Sequence, residues 1–152
     1  NKKLVQSMRE FSLRLTLLLL TSLLAACAGR PGPELLAQRA EAVPGAKLTT
    51  VYVATTRKRD ENGIYTSGRS REVSYIRYRV SIPPGHKTGN VEWPKSKPNP
   101  KTDFVTVDQH ILDAATFEAE VTRKHNGKPP SVGVFVHGYN TNFTEAVYRM
   151  AQ

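Results

Sequence analysis

The sequence predicts an α/β fold with a parallel sheet at its centre, and three stretches predict it. Residues 131–136 form a run of Val, Gly and Phe without polar alternation after Ser131, the composition of a strand buried on both faces. Directly behind them stand His137, Gly138, Tyr139, Asn140 and Thr141, then Asn142 with Glu145 three residues on, an N-cap and its capping-box partner opening a helix. Earlier in the chain Ile76, Tyr78, Val80 and Ile82 fall on one face while Arg77, Arg79 and Ser81 fall on the other, the period of two of a strand covered on one side.

The elements follow in order from a leader. Lys2, Lys3, Arg9 and Arg14 form a basic flank, and residues 15–26 are apolar apart from Thr16, Thr21 and Ser22. A spanning helix needs about 20 apolar residues, and Gly29, Arg30, Pro31, Gly32 and Pro33 follow at once, so the run is too short for a permanent membrane span. It reads as an export signal over residues 1–27, with Met8 an alternative start. Leu24, Ala25, Ala26 and Cys27 resemble a bacterial lipobox, which implies that Cys27 is acylated and becomes the mature N-terminus. The competing reading is ordinary secretion, because Ala26, Cys27 and Ala28 also form a small-x-small cleavage site and leave a soluble secreted or periplasmic protein. The resemblance to lipoproteins implies a protein held on the cell envelope. Ala28 in place of Asp implies sorting to the outer membrane, facing the periplasm.

Residues 28–46 are expected as a flexible spacer, with Pro31, Pro33 and Pro44 around a helix-capable stretch at 34–42. Residues 48–55 are β-branched and aromatic and predict a strand, followed by a charged, Gly-containing loop over 57–71. After the alternating strand, Pro83, Pro84, Pro94, Pro98 and Pro100 predict an ordered surface loop. A short strand is expected at 103–107. Asp108 then caps a helix reaching His125, with Ile111, Ala114, Phe117 and Val121 along one face. Phe143, Val147 and Met150 are expected to face the sheet from the last helix.

Charge narrows the class of partner. Four basic residues and Glu10 leave with the leader, which takes 22 basic and 13 acidic residues to 18 and 12, a net +6. The eleven basic residues between Arg57 and Lys101 are interleaved with Gly, Pro and Ser and carry no nucleic-acid signature, so no nucleic acid is expected. His86, His110 and His125 fall in a loop, at a helix start and at a helix end without ligand spacing. No metal site and no cofactor are expected. A phosphate loop is set aside because its Gly-rich spacing with Lys and Ser or Thr is absent.

Val134, Phe135, Val136, His137, Gly138, Tyr139 and Asn140 resemble the oxyanion turn of α/β-hydrolases. More narrowly, residues 51–57 (Val, Tyr, Val, Ala, Thr, Thr, Arg) and 134–152 resemble the N-terminal part of a formerly uncharacterised bacterial branch of esterase/lipase-like hydrolases. The resemblance implies an α/β-hydrolase domain over 47–152, present only as its N-terminal strands, oxyanion turn and first core helix. It implies that the main-chain N–H of Tyr139 is one oxyanion donor, with His137, Gly138 and Asn140 shaping the turn. Ester hydrolysis passes through a tetrahedral oxyanion that needs such donors already aimed at it.

Hydrolases of this fold carry their nucleophile in a Gly-x-Ser-x-Gly elbow, followed by Asp or Glu and then His. No such elbow occurs in these residues, and His137 precedes any nucleophile. The expectation is an N-terminal portion of a membrane-tethered serine hydrolase acting on an ester or acyl small molecule, inactive by itself. The alternative is a non-catalytic envelope lipoprotein that uses the hydrolase scaffold for binding.

Overall fold

The computed structural model describes residues 30–95, 97–124 and 126–152, together with Gln6 and Arg14. Cys27, the lipobox and the apolar leader lie outside the described residues. The chain divides into two units, Asn1–Arg30 and Pro31–Gln152, and the second carries the fold that follows. Among the described residues no helix is long and apolar enough to cross a membrane.

Three antiparallel strands, in the order β1-β2-β3, form the sheet: β1 (Lys47–Arg59), β2 (Tyr65–Ile82) and β3 (Val105–Leu112). The β1–β2 ladder runs from Lys47 opposite Ile82 to Thr55 opposite Ser74, then continues irregularly to Arg59 opposite Tyr65. Residues 57–71, expected as a loop, therefore belong mostly to this hairpin. Its outer half is wet, so Arg69 and Arg71 carry no apolar alternation, and periodicity had no signal to find there. The turn closes through Gly63, whose φ of +82° suits glycine, and through Asp60, whose Oδ1 accepts the Ile64 N–H at 2.8 Å.

In β2 the alternation holds for Ile76, Tyr78, Val80 and Ile82, which are buried, against exposed Arg79 and half-buried Arg77. Ser81 departs from it: it is buried, held in the ladder between Leu48 of β1 and Val105 of β3. β3 runs five residues beyond its expected end. Residues 108–112 pair with 75–79, so Asp108 caps no helix and instead meets Arg79 Nε at 3.3 Å. His110 likewise lies in a strand, opposite Arg77. The capping role passes to Asp113, whose Oδ1 accepts the Thr116 N–H at 2.7 Å at the head of α1 (Ala114–Val121). Either aspartate suits a cap, and the ladder with β2 decides between them. The helix stops at Val121, where the Thr122 hydroxyl turns back onto Glu118 O at 2.7 Å. His125 lies outside the described residues.

The second helix, α2 (Phe143–Ala151), buries Phe143, Val147, Tyr148 and Ala151 in one cluster with Val51, Ile76, Tyr78 and Val80 of the sheet. Met150, expected on the same face, is partly exposed. The proline-rich loop is ordered as expected. Trp93 stacks on Tyr148 with centroids 5.9 Å apart, and Glu92 accepts from His86 Nδ1 at 2.8 Å while its carbonyl accepts the Phe104 N–H.

Within 28–46, expected as a flexible spacer, residues 31–40 lie packed as a strap. The helix expected at 34–42 is a single 3-10 turn, Pro33–Leu36, with Leu35 and Leu36 buried. Farther on, the Ala40 N–H donates to Thr106 O at 3.1 Å and Arg39 bridges to the same residue of β3.

The largest departure is at residues 131–136. They form no strand: the stretch is irregular, with Val134 85% and Val136 86% exposed. A strand needs a ladder partner for its amides and carbonyls and a layer over each face. The described residues supply neither. The sheet itself is antiparallel throughout, not the parallel one expected.

Candidate functional site

The turn after the apolar segment is set by the helix that follows it. Asn142 Oδ1 accepts the Glu145 N–H at 2.9 Å, and the Asn142 N–H donates to Glu145 Oε2 at 2.8 Å, a complete capping box. Ahead of it the Thr141 N–H donates to Gly138 O at 3.1 Å and tightens residues 138–141 into a turn. His137 Nδ1 lies 3.0 Å from the same carbonyl, where it can only donate. Tyr139 is fully exposed, and among the described residues its main-chain N–H meets no acceptor. Such a donor is open to an incoming oxygen. Around Gly138 there is open space, since a Cβ there would meet nothing within 4 Å. Packing among the described residues therefore does not call for glycine at this position. Asn140 stands in the turn, also exposed.

Beside the turn lies a groove of about 700 Å³. One wall is β1, an outer strand of the sheet, at Val51 and Val53; another is residues 130–137; Phe117 and Val121 of α1 and Met150 of α2 close the rest. Most of this lining is apolar. Its polar corner is Glu120 with Arg123, where Arg77 Nη1 meets Glu120 Oε1 at 2.7 Å. Burial works against ionisation of Glu120, but hydrogen bonds from Arg77 and Tyr52 and the Arg77 charge outweigh it and hold the carboxyl below its ordinary range. Among the described residues no three His, Cys, Asp or Glu side chains cluster to hold a metal.

The structure thus brings His137, Gly138, Tyr139 and Asn140 into one exposed turn at the head of a capped helix. Sequence reasoning missed two contacts there. Asn142 Nδ2 donates to Pro31 O at 2.9 Å, and Thr144 Oγ1 donates to Gly32 O at 2.9 Å. The usable signal was the choice of Asn at the cap, the residue that offers both an acceptor and an N–H donor.

A family model described as "Alpha/beta hydrolase of unknown function (DUF900)" matches residues 107–152, the stretch from β3 through α1 and the turn to the end of α2. The match supports the α/β-hydrolase superfamily for that stretch, which is less than a third of the chain. The chain has no match among curated proteins or among solved structures.

Proposed function

We propose that this chain is the N-terminal portion of a serine hydrolase that cleaves an ester or related acyl bond, tethered to the cell envelope through a lipidated Cys27. In this reading the Tyr139 N–H is one donor to the oxyanion of the tetrahedral intermediate. The second comes from the residue after a nucleophilic serine that lies beyond Gln152, with the acid and histidine of the triad following it. The α2 N-terminus adds positive potential at the same place. His137 holds the turn and is neither acid nor base.

The observation that carries the reading is the pairing of an open N–H at Tyr139 with an exposed apolar segment at 132–136 beside β1 and a groove of about 700 Å³. Apolar surface of this kind is normally covered, and a further strand in the groove would cover it and give both neighbours a ladder partner. The same strand would turn residues 131–136 into the buried strand that their composition suits.

The gene read past Gln152 is the first test. A Gly-x-Ser-x-Gly elbow followed by Asp or Glu and then His is expected, and its absence sinks the enzyme. With the elbow present, the full-length protein cleaves p-nitrophenyl butyrate, and elbow Ser→Ala lowers kcat by about 10³-fold or more, as for triad members generally. The tether is tested separately by fatty-acid labelling of the native chain against Cys27→Ala. Equal label in both defeats it.

A further inference from the structure

Residues 31–40 link the two parts of the molecule that the candidate site depends on. At one end the carbonyls of Pro31 and Gly32 accept from Asn142 Nδ2 and Thr144 Oγ1, each at 2.9 Å. At the other end Ala40 and Arg39 are joined to Thr106 of β3. Between them Leu35 and Leu36 are buried. The strap is therefore fixed to the sheet and to the head of α2 at once.

The turn 138–141 has two flanks, and they differ. The entering flank, 131–137, is exposed and has no ladder. The leaving flank is Asn142, whose main-chain N–H, Oδ1 and Nδ2 are all engaged, the last by the strap. Asp caps a helix as well as Asn does but carries no donor for Pro31 O. Thr144, two residues on, is fully buried, with its hydroxyl on the next carbonyl of the strap. Two successive carbonyls gripped by one helix head define its position more tightly than a single bond can.

We propose that the strap is a positioning device for the oxyanion turn, acting through Asn142 and Thr144 as positioning residues. This rests on the hydrolase reading above for its catalytic consequence. A displacement of about 1 Å at a reacting centre can cost on the order of 100-fold in rate, so a brace at the turn's leaving flank bears on how well the Tyr139 N–H meets the oxyanion.

The test uses the full-length protein with N142D and T144V combined. These changes keep the cap and the side-chain volumes and remove both donors to the strap. The expected result is a kcat, per active site titrated, lowered about tenfold, with KM within about twofold and Thr141 amide exchange at least about fivefold faster, the size of effect expected when orientation alone is loosened. Unchanged kcat per titrated site with unchanged Thr141 exchange overturns the proposal. So does a loss confined to the number of titratable sites, which marks a folding effect only. If the unaltered protein cleaves no ester, the hydrolase reading falls and Thr141 exchange decides alone: faster exchange upholds the brace and unchanged exchange overturns it.

Discussion

Thr106 shows how one side chain can serve two elements. It sits in β3, fully buried, its hydroxyl 3.2 Å from the equally buried Tyr148 hydroxyl of α2, while its carbonyl takes the Ala40 N–H of the strap. Burial pushes the Tyr148 phenol up, although the hydrogen bond to Thr106 opposes this. Thr106→Val leaves a buried phenol without its partner and is expected to destabilise the full-length protein by about 1–3 kcal/mol, read from the urea midpoint. Adding Tyr148→Phe removes the orphaned group, so the double variant recovers part of that loss; no recovery shows that the bond does not matter. Residues of this kind were not legible beforehand. A Thr in a strand reads as half-wet, and only the fold reveals that Tyr148 reaches it. Asn142 and Glu145 were legible because a capping box is local, closed within four residues.

Among the elements, those read correctly have a pattern confined to their own residues: the apolar face of β2, the start of α2, the proline-rich loop. Those misread depend on a neighbour. The outer hairpin is a strand without an apolar face, α1 starts five residues late because β2 claims 108–112, and residues 131–136 lack the partner that would make them a strand. α1 itself buries none of its residues. Its ties to the sheet are Phe117, with ring centroids 4.8 Å from Tyr75 and 5.9 Å from Tyr52, and the ion pair of Glu120 with Arg77. That pair sets a pH dependence. The folded pKa of Glu120 lies below its ordinary 4.5, so its contribution is complete above that value and is lost as pH falls through the depressed folded value. Asp113, lowered by the backbone N–H and hydroxyl of Thr116, acts in the same direction. The urea midpoint is therefore expected to fall on acidification below about pH 4.5, the range where Glu begins to protonate, and to fall less steeply in Glu120→Gln. An equal slope in both proteins removes Glu120 from the account.

At the scale of the molecule, the described fold is a sheet, two helices and a strap around one core, with an apolar segment and an open turn at its edge. The family match over 107–152 falls where the turn lies, and the hydrolase signal in the sequence is strongest in the same place. A nucleophile was not legible, because no Gly-x-Ser-x-Gly elbow occurs in these residues. Everything else in the reading hangs on whether a serine meets the turn. The direct measurement is labelling of the full-length protein with a fluorophosphonate, followed by peptide mapping. The account predicts one labelled serine, at the centre of a Gly-x-Ser-x-Gly elbow beyond Gln152, with labelling abolished by its replacement with Ala; a full-length, folded protein that takes up no label contradicts it.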